Sequence, residues 1–145
     1  MVVALIGESC TGKSTLAQEL KVRLDAEVYT GKDYLRLAKN EAIAAKLFRK
    51  KLEQAVDGDA VIYVIAEKEH LALLPEKAVT VLVTADLELI LERFARRMHG
   101  TLPTPVKTML EKKHGIFDKI CHDYHIHNGN DAERICGELC RIAGK

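Results

Sequence analysis

The sequence has few of the residues that disulfide-stabilised or membrane proteins depend on. It contains 4 Cys, 3 Pro and no Trp among 145 residues. The cysteines form neither a C-x-x-C motif nor a paired framework, which predicts reduced thiols. No apolar stretch approaches the roughly 20 residues of a membrane-spanning helix, so no membrane partner is expected. The chain also opens without the segments of a signal peptide, and a cytoplasmic location is therefore expected.

An excess of either charge is missing too. The 22 Lys and Arg residues nearly balance 21 Asp and Glu, for a formal net charge of +1. Near-neutrality argues against a nucleic-acid partner, and a hydrophobic fraction of 48% excludes a disordered chain. The length suits a single domain over residues 1–145 with a small-molecule ligand. Composition leaves the oligomeric state open.

Short apolar runs alternate with helix-like segments along the chain. Strands are predicted at 2–6, 26–30, 60–66, 79–84 and 124–127. Helices are predicted at 13–25, at 33–56 as one or two helices, before residue 75, after residue 84, and at 104–120 with Thr104 as N-cap. A last helix would open on a capping box of Asn130 and Glu133. This alternation predicts an α/β fold, a three-layer α/β/α sandwich around a parallel sheet.

A phosphate-binding motif directly follows the first predicted strand. The residues GESCTGKS, from 7 to 14, match G-x-x-x-x-G-K-[ST] between a strand and a helix, the context that the P-loop requires. Its backbone N–H groups cradle phosphate oxygens, Lys13 reaches the β- and γ-phosphates, and the Ser14 hydroxyl ligates Mg²⁺. The predicted residues for binding ATP are Gly7, Ser9, Cys10, Thr11, Gly12, Lys13, Ser14 and Thr15.

The rest of the sequence selects among the proteins that carry this motif. The guanine-specific N-K-x-D and switch D-x-x-G elements of GTPases are absent, and motor or AAA-type domains are larger. A compact phosphotransferase that uses ATP and Mg²⁺ is the class that remains.

Two further segments resemble nucleoside monophosphate kinases. TGKDYLR, from Thr30 to Arg36, looks like the T-G-D-x-L-R segment of adenylate kinases, and the stretch from 85 to 128 is similar to guanylate kinases. With the P-loop, the resemblance covers most of the chain and implies a P-loop NTPase fold. It also implies an acceptor-binding region at about 30–57 and a minimal lid at about 97–107. Within these regions, Thr30 and Arg36 would hold the acceptor monophosphate, while the lid arginines Arg93, Arg96 and Arg97 would clamp the transferring phosphoryl group.

The carboxylate that supports Mg²⁺ is not fixed by this resemblance. The family usually places an Asp at the end of the third strand, where this sequence has Glu67. Asp33 is the competing catalytic carboxylate, as a base or in the metal shell, because it follows the second strand beside the P-loop as in shikimate-type kinases. It could equally cap a helix. Glu67 is also a candidate on the acceptor side.

Three functions follow from these residues. The first is transfer of the γ-phosphoryl group of ATP to a nucleoside monophosphate. The second is the same transfer to a small non-nucleotide metabolite, and the third is a nucleotide-binding module with little or no turnover. His122, His125 and His127 are more simply read as strand histidines than as a metal site.

Overall fold

The computed structural model describes residues 1–144, which contain a five-stranded parallel sheet. Its strands are β1 (Val2–Ile6), β2 (Glu27–Thr30), β3 (Val61–Ile65), β4 (Val79–Thr84) and β5 (Tyr124–His127). They lie in the order β2-β3-β1-β4-β5, and each neighbouring pair is parallel. β1 is therefore central, and all five strands end at the same edge of the sheet.

Helices connect the strands. The described α-helices are α1 (Lys13–Leu24), α2 (Glu41–Ala55), α3 (Leu87–Arg97), α4 (Thr104–Lys113) and α5 (Ala132–Ile142), and 3₁₀ helices cover Asp33–Leu37 and Lys68–Leu73. The predicted helical region 33–56 is two helices because the backbone becomes extended at Ala38. Asn40 then caps α2 by accepting a hydrogen bond from the Ile43 N–H. In residues 1–144, no helix is both long and apolar enough to cross a membrane.

Both faces of the sheet are covered, which confirms the predicted three-layer sandwich. On one face, Leu16 and Leu20 of α1 pack with Ile135 and Leu139 of α5. On the other, Phe48 of α2 lies among the buried side chains of the strands, in a cluster that also contains Phe117. The Phe48 ring lies 4.8 Å from that of Tyr29 and 4.8 Å from that of Tyr63.

The predicted helix 104–120 is shorter in the structure. α4 ends at Lys113 because His114 takes an extended conformation and Gly115 has φ +84°, which the helix cannot accommodate. The residues that follow turn inward and bury Phe117 beneath the sheet. At the other end of α4, Thr104 is already helical and the capping position is Pro103.

The predicted capping box before α5 is wrong. The N-cap is Asp131 with φ 67°, and no side chain among the described residues caps this helix. Glu133 instead accepts hydrogen bonds from the Arg23 guanidinium of α1 at 2.7 and 2.8 Å. The Glu133 carboxylate therefore links α5 to α1 and does not cap α5.

Candidate active site

The P-loop joins β1 to α1 at the carboxyl edge of the sheet, and two of its positions accept only glycine. A Cβ on Gly7 would lie 2.1 Å from the Val83 carbonyl oxygen, closer than any side-chain atom can approach. Gly12 has φ +103°, a conformation open to glycine and strained for other residues. α1 begins at the next residue, so its N-terminal N–H groups face the loop, as anion binding requires.

Lys13 is buried inside the loop although it is charged. Its ammonium donates hydrogen bonds to the carbonyl oxygens of Gly7, at 2.6 Å, and Glu8. The pKa of Lys13 is lowered to about 8, mainly by burial and to a smaller extent by the positive charge of Arg97, while Cys10 and Glu8 act in the opposite direction. A buried ammonium held by carbonyls alone is poised to gain an anionic partner.

A cleft of about 200 Å³ opens beside the P-loop, at the carboxyl ends of β2 and β3. It brings together most of the residues predicted from the sequence to bind ATP, Mg²⁺ or the acceptor. Those that line it are Ser9, Cys10, Gly12, Lys13, Ser14, Thr15, Thr30, Glu67 and Arg97.

A second pocket, of about 480 Å³, lies on the other side of the loop. It is bounded by α1, by the arginines of α3, and by the turn between β5 and α5 at Gly129 and Ala132. Arg97, Cys10, Gly12 and Thr15 line both this pocket and the cleft. Arg97 therefore stands where the two cavities meet.

The predicted lid arginines have different surroundings. Arg93 donates a hydrogen bond from Nη1 to the Cys10 carbonyl oxygen at 3.0 Å. Cys10 has φ 63°, unusual for a residue other than glycine, and Arg93 helps to hold the loop in that conformation. Arg96 pairs with Glu92 at 2.6 Å, and its side chain is 75% exposed. Arg97 alone of the three reaches the cleft.

Asp33 and Arg36 do not line the cleft. The Asp33 carboxylate accepts a hydrogen bond from the Thr30 N–H at 2.9 Å, and thus stabilises the turn after β2. The Arg36 guanidinium lies 4.5 Å from the centre of the Tyr29 ring and 3.8 Å from a Glu27 carboxylate oxygen, at the start of β2. The Arg36 guanidinium is therefore directed toward β2, and its contact with an acceptor phosphate stays a prediction.

Glu67 occupies the position expected from the sequence, just past the end of β3. It lines the cleft, and one carboxylate oxygen lies 3.5 Å from the Lys113 ammonium. Its side chain remains half exposed, so the carboxylate can still reach a cation in the cleft.

Sequence reasoning missed two buried polar residues, one within the P-loop and one in the cleft beside it. The Glu8 carboxylate is held by the His114 imidazole at 3.0 Å and by the Gly115 N–H at 3.1 Å. Glu8 could have been noticed in the sequence, because an acidic residue is unexpected inside a motif that binds anions. His70, 4% exposed, lines the cleft, and nothing in the sequence pattern marks it.

The histidines of β5 form a surface cluster. The Thr84 hydroxyl forms hydrogen bonds with the rings of His125 and His127, at 2.7 Å each. The His127 ring also forms a hydrogen bond with the Asp86 carboxylate, at 3.0 Å. Burial and the neighbouring histidines lower the pKa of His125. Within residues 1–144, no group of three or more His, Cys, Asp or Glu side chains is arranged to hold a metal ion.

Solved structures resemble the whole chain in fold. An uncharacterized protein from Eubacterium ventriosum gives a TM-score of 0.69 at 15% identity, over 100% of this chain and 99% of the other. A shikimate kinase from Acinetobacter baumannii, solved with shikimate, gives 0.64 at 16% identity over 99% and 95%. A gluconokinase from Sinorhizobium meliloti gives 0.60 at 12% identity over 99% and 93%.

These similarities show that the protein has the P-loop kinase fold, as the sequence predicts. No protein-family model matches the sequence, and no curated protein matches it either. The named kinases among these structures carry shikimate or gluconate in their names, and the predicted kinship with nucleoside monophosphate kinases stays a prediction.

Proposed function

We propose that the protein transfers the γ-phosphoryl group of ATP, with Mg²⁺, to a hydroxyl group of a small metabolite. The observation that carries this proposal is the cleft in which Lys13 and Arg97 of the phosphate side meet Thr30, Glu67 and His70. Phosphoryl transfer requires this combination, because positive groups must surround the transferring phosphoryl while the acceptor lies in line.

We expect the donor nucleotide to occupy the two adjoining cavities. The P-loop N–H groups and Lys13 would hold the β- and γ-phosphates, while the pocket of about 480 Å³ would take the base and ribose. Arg97, which lines both cavities, would contact the phosphates between them.

Mg²⁺ suits the residues at the cleft because Ser14 and Glu67 present a hydroxyl and a carboxylate, the oxygen ligands that this ion prefers. When bound, Mg²⁺ neutralises phosphate charge. In the transfer, the acceptor hydroxyl oxygen bonds to the γ-phosphorus as the bond to the β–γ bridging oxygen breaks. The hydroxyl proton leaves to solvent, and ADP departs with the bonding electron pair.

Two features favour a small metabolite over a nucleotide acceptor. The cleft of about 200 Å³ lies below the roughly 300–1,000 Å³ typical of pockets for drug-sized ligands and cofactors. Arg36, which a nucleoside monophosphate would need, is engaged with Tyr29 and Glu27. The TGKDYLR segment remains the argument for the nucleotide, so both acceptor classes belong in the test.

A coupled ADP-release assay tests the proposal. Shikimate, gluconate, other hydroxyl metabolites and the nucleoside monophosphates would each be added to protein with ATP and Mg²⁺. We expect a hydroxyl metabolite to accelerate ADP release well above the rate without acceptor. Acceleration by a nucleoside monophosphate alone would restore the sequence-based assignment, and ATP binding without acceleration by any compound would indicate a binding module.

Replacing Glu67 by glutamine tests its role at the ion. We expect turnover to fall about 10–100-fold with a raised Mg²⁺ requirement, since a neutral amide orients the ion's water shell poorly. A magnesium titration of turnover measures both changes. Glu53→Gln, at an exposed position on α2, is the matched control. A normal magnesium profile in Glu67→Gln with a collapsed one in Asp33→Asn would move the role to Asp33.

ATP affinity should depend on the protonation of Lys13. Because the pKa of Lys13 is about 8 before ATP binds and the phosphates favour the charged amine, binding takes up a proton above that pH. The Kd for ATP should be flat below pH 8 and rise with a limiting slope of about tenfold per pH unit above it. Calorimetry from pH 7 to about 9.5, in buffers of different ionisation enthalpy, measures both effects. A Kd that stays flat up to the highest pH would contradict the assignment.

A further inference from the structure

His70 is the buried residue of the cleft whose hydrogen bonding is left incomplete. It lies in the 3₁₀ helix after β3 and is 4% exposed. Its Nδ1 has no hydrogen-bond partner among residues 1–144. Its Nε2 lies 3.8 Å from a Glu69 carboxylate oxygen, beyond hydrogen-bond distance. Buried polar atoms normally have partners, so an unpartnered one calls for a specific reason.

Aromatic rings fix the position of the imidazole without satisfying it. The Tyr34 ring meets it edge-on, at 6.1 Å between centroids, and the Tyr63 ring lies at 6.2 Å. The Tyr63 hydroxyl already donates to the Gly31 carbonyl oxygen at 2.8 Å. The imidazole is thus held in place by packing, and its Nδ1 is left without a hydrogen-bond partner among the described residues.

The cleft places His70 on the acceptor side of the site. Thr30, Gly31 and Glu67 line it together with His70, across from the P-loop residues Lys13 and Ser14. A molecule that fills the space between these two sides would touch His70 and the phosphate-binding residues at once.

We propose that His70 binds the phosphoryl acceptor, with Nδ1 hydrogen-bonded to an oxygen of a small polar metabolite. This inference rests on the proposed function. An imidazole nitrogen donates or accepts according to its tautomer, and a hydroxyl or carboxylate oxygen completes either arrangement. An acceptor that lacks this oxygen leaves Nδ1 buried and unpaired, which makes His70 a determinant of specificity.

Two variants separate acceptor binding from a structural role. His70→Leu fills similar space without a polar atom. His70→Asn places an amide near the position of Nδ1 and can restore the hydrogen bond. His122→Leu, at an exposed position, is the matched control. The measurements are melting temperature and steady-state ADP release with shikimate, gluconate, AMP, GMP, CMP and UMP as acceptors.

With the acceptor that is most active on the wild type, we expect His70→Leu to raise the acceptor KM about tenfold or more. The KM for ATP should stay unchanged, and His70→Asn should recover most of the loss. The melting temperature of His70→Leu should equal or exceed that of the wild type, because an unsatisfied buried atom is removed.

Other results would overturn the inference. An unchanged acceptor KM in His70→Leu would refute it while the proposed function stands. A melting temperature lower by more than about 5 °C in both variants, with acceptor KM unaltered in His70→Asn and in His70→Leu, would assign His70 to the fold. If no acceptor accelerates ADP release in the wild type, the proposed function fails first and this inference fails with it.

Discussion

Replacing Lys13 by methionine is expected to lower turnover at least about a thousandfold, the scale of losing a main charge-stabilising group in phosphoryl transfer. Methionine keeps the buried stem of the side chain and removes the ammonium. The hydrogen bonds to the carbonyl oxygens of Gly7 and Glu8 are lost with it. The desolvation that lowers the pKa of Lys13 is relieved at the same time. These effects oppose one another, so the folded state should persist.

The control for this experiment is Lys21→Met, which changes an exposed lysine of the same helix. Circular dichroism would establish that both variants are folded, and calorimetry with ATP would report binding. Weak binding and negligible ADP release should appear in Lys13→Met alone. A folded Lys13→Met protein with wild-type ATP affinity and turnover would mean that this loop is not the phosphate site.

Arg97→Ala is expected to lower kcat about 100–1,000-fold, the loss seen when one preorganised donor to a transition state is removed. Arg97 lines both the cleft and the pocket of about 480 Å³, and its charge already influences Lys13. Its contribution should grow as charge develops on the transferring phosphoryl, so kcat should fall more than ATP affinity.

The neighbouring Arg96 provides a comparison for kcat on the same helix, because it lines the pocket of about 480 Å³ but not the cleft. Its guanidinium pairs with Glu92 and is largely exposed, a surface ion pair of little energetic consequence. Arg96→Ala should therefore retain kcat close to the wild-type value. Equal losses in the two variants would show a general electrostatic effect of α3 and would remove Arg97 from the site.

The sequence predicted those parts of the fold that depend on local pattern. Apolar runs located all five strands, and the P-loop motif located the start of α1, because strand burial and phosphate binding each require a particular order of residue types. The alternation of strands and helices was then enough to predict the three layers of the fold. Lys13, Ser14, Thr30, Glu67 and Arg97 come together at the cleft because strand ends and the loop meet at one edge, and their functional roles stay predictions.

Local sequence patterns could not predict the direction of side chains or the contacts between residues far apart in the sequence. Arg36 follows β2 closely in the sequence, but the Tyr29 ring and Glu27 draw its guanidinium away from the cleft. α4 ends just before His114 and Gly115, which form hydrogen bonds with the Glu8 carboxylate. Glu8 lies more than a hundred residues earlier in the sequence. His70 lies in a short 3₁₀ helix, where no periodicity distinguishes a buried side chain from an exposed one.

The central position of β1 has a consequence for how the protein is made. Val2 pairs opposite Val61 and Val3 opposite Val79, so β1 has no partner in this sheet until β3 has been synthesised. Closing such long loops costs entropy before any pairing is gained, which makes folding slow. The P-loop that follows β1 therefore folds late. Until then, the apolar β1 segment of the nascent chain stays exposed to chaperones and to other chains.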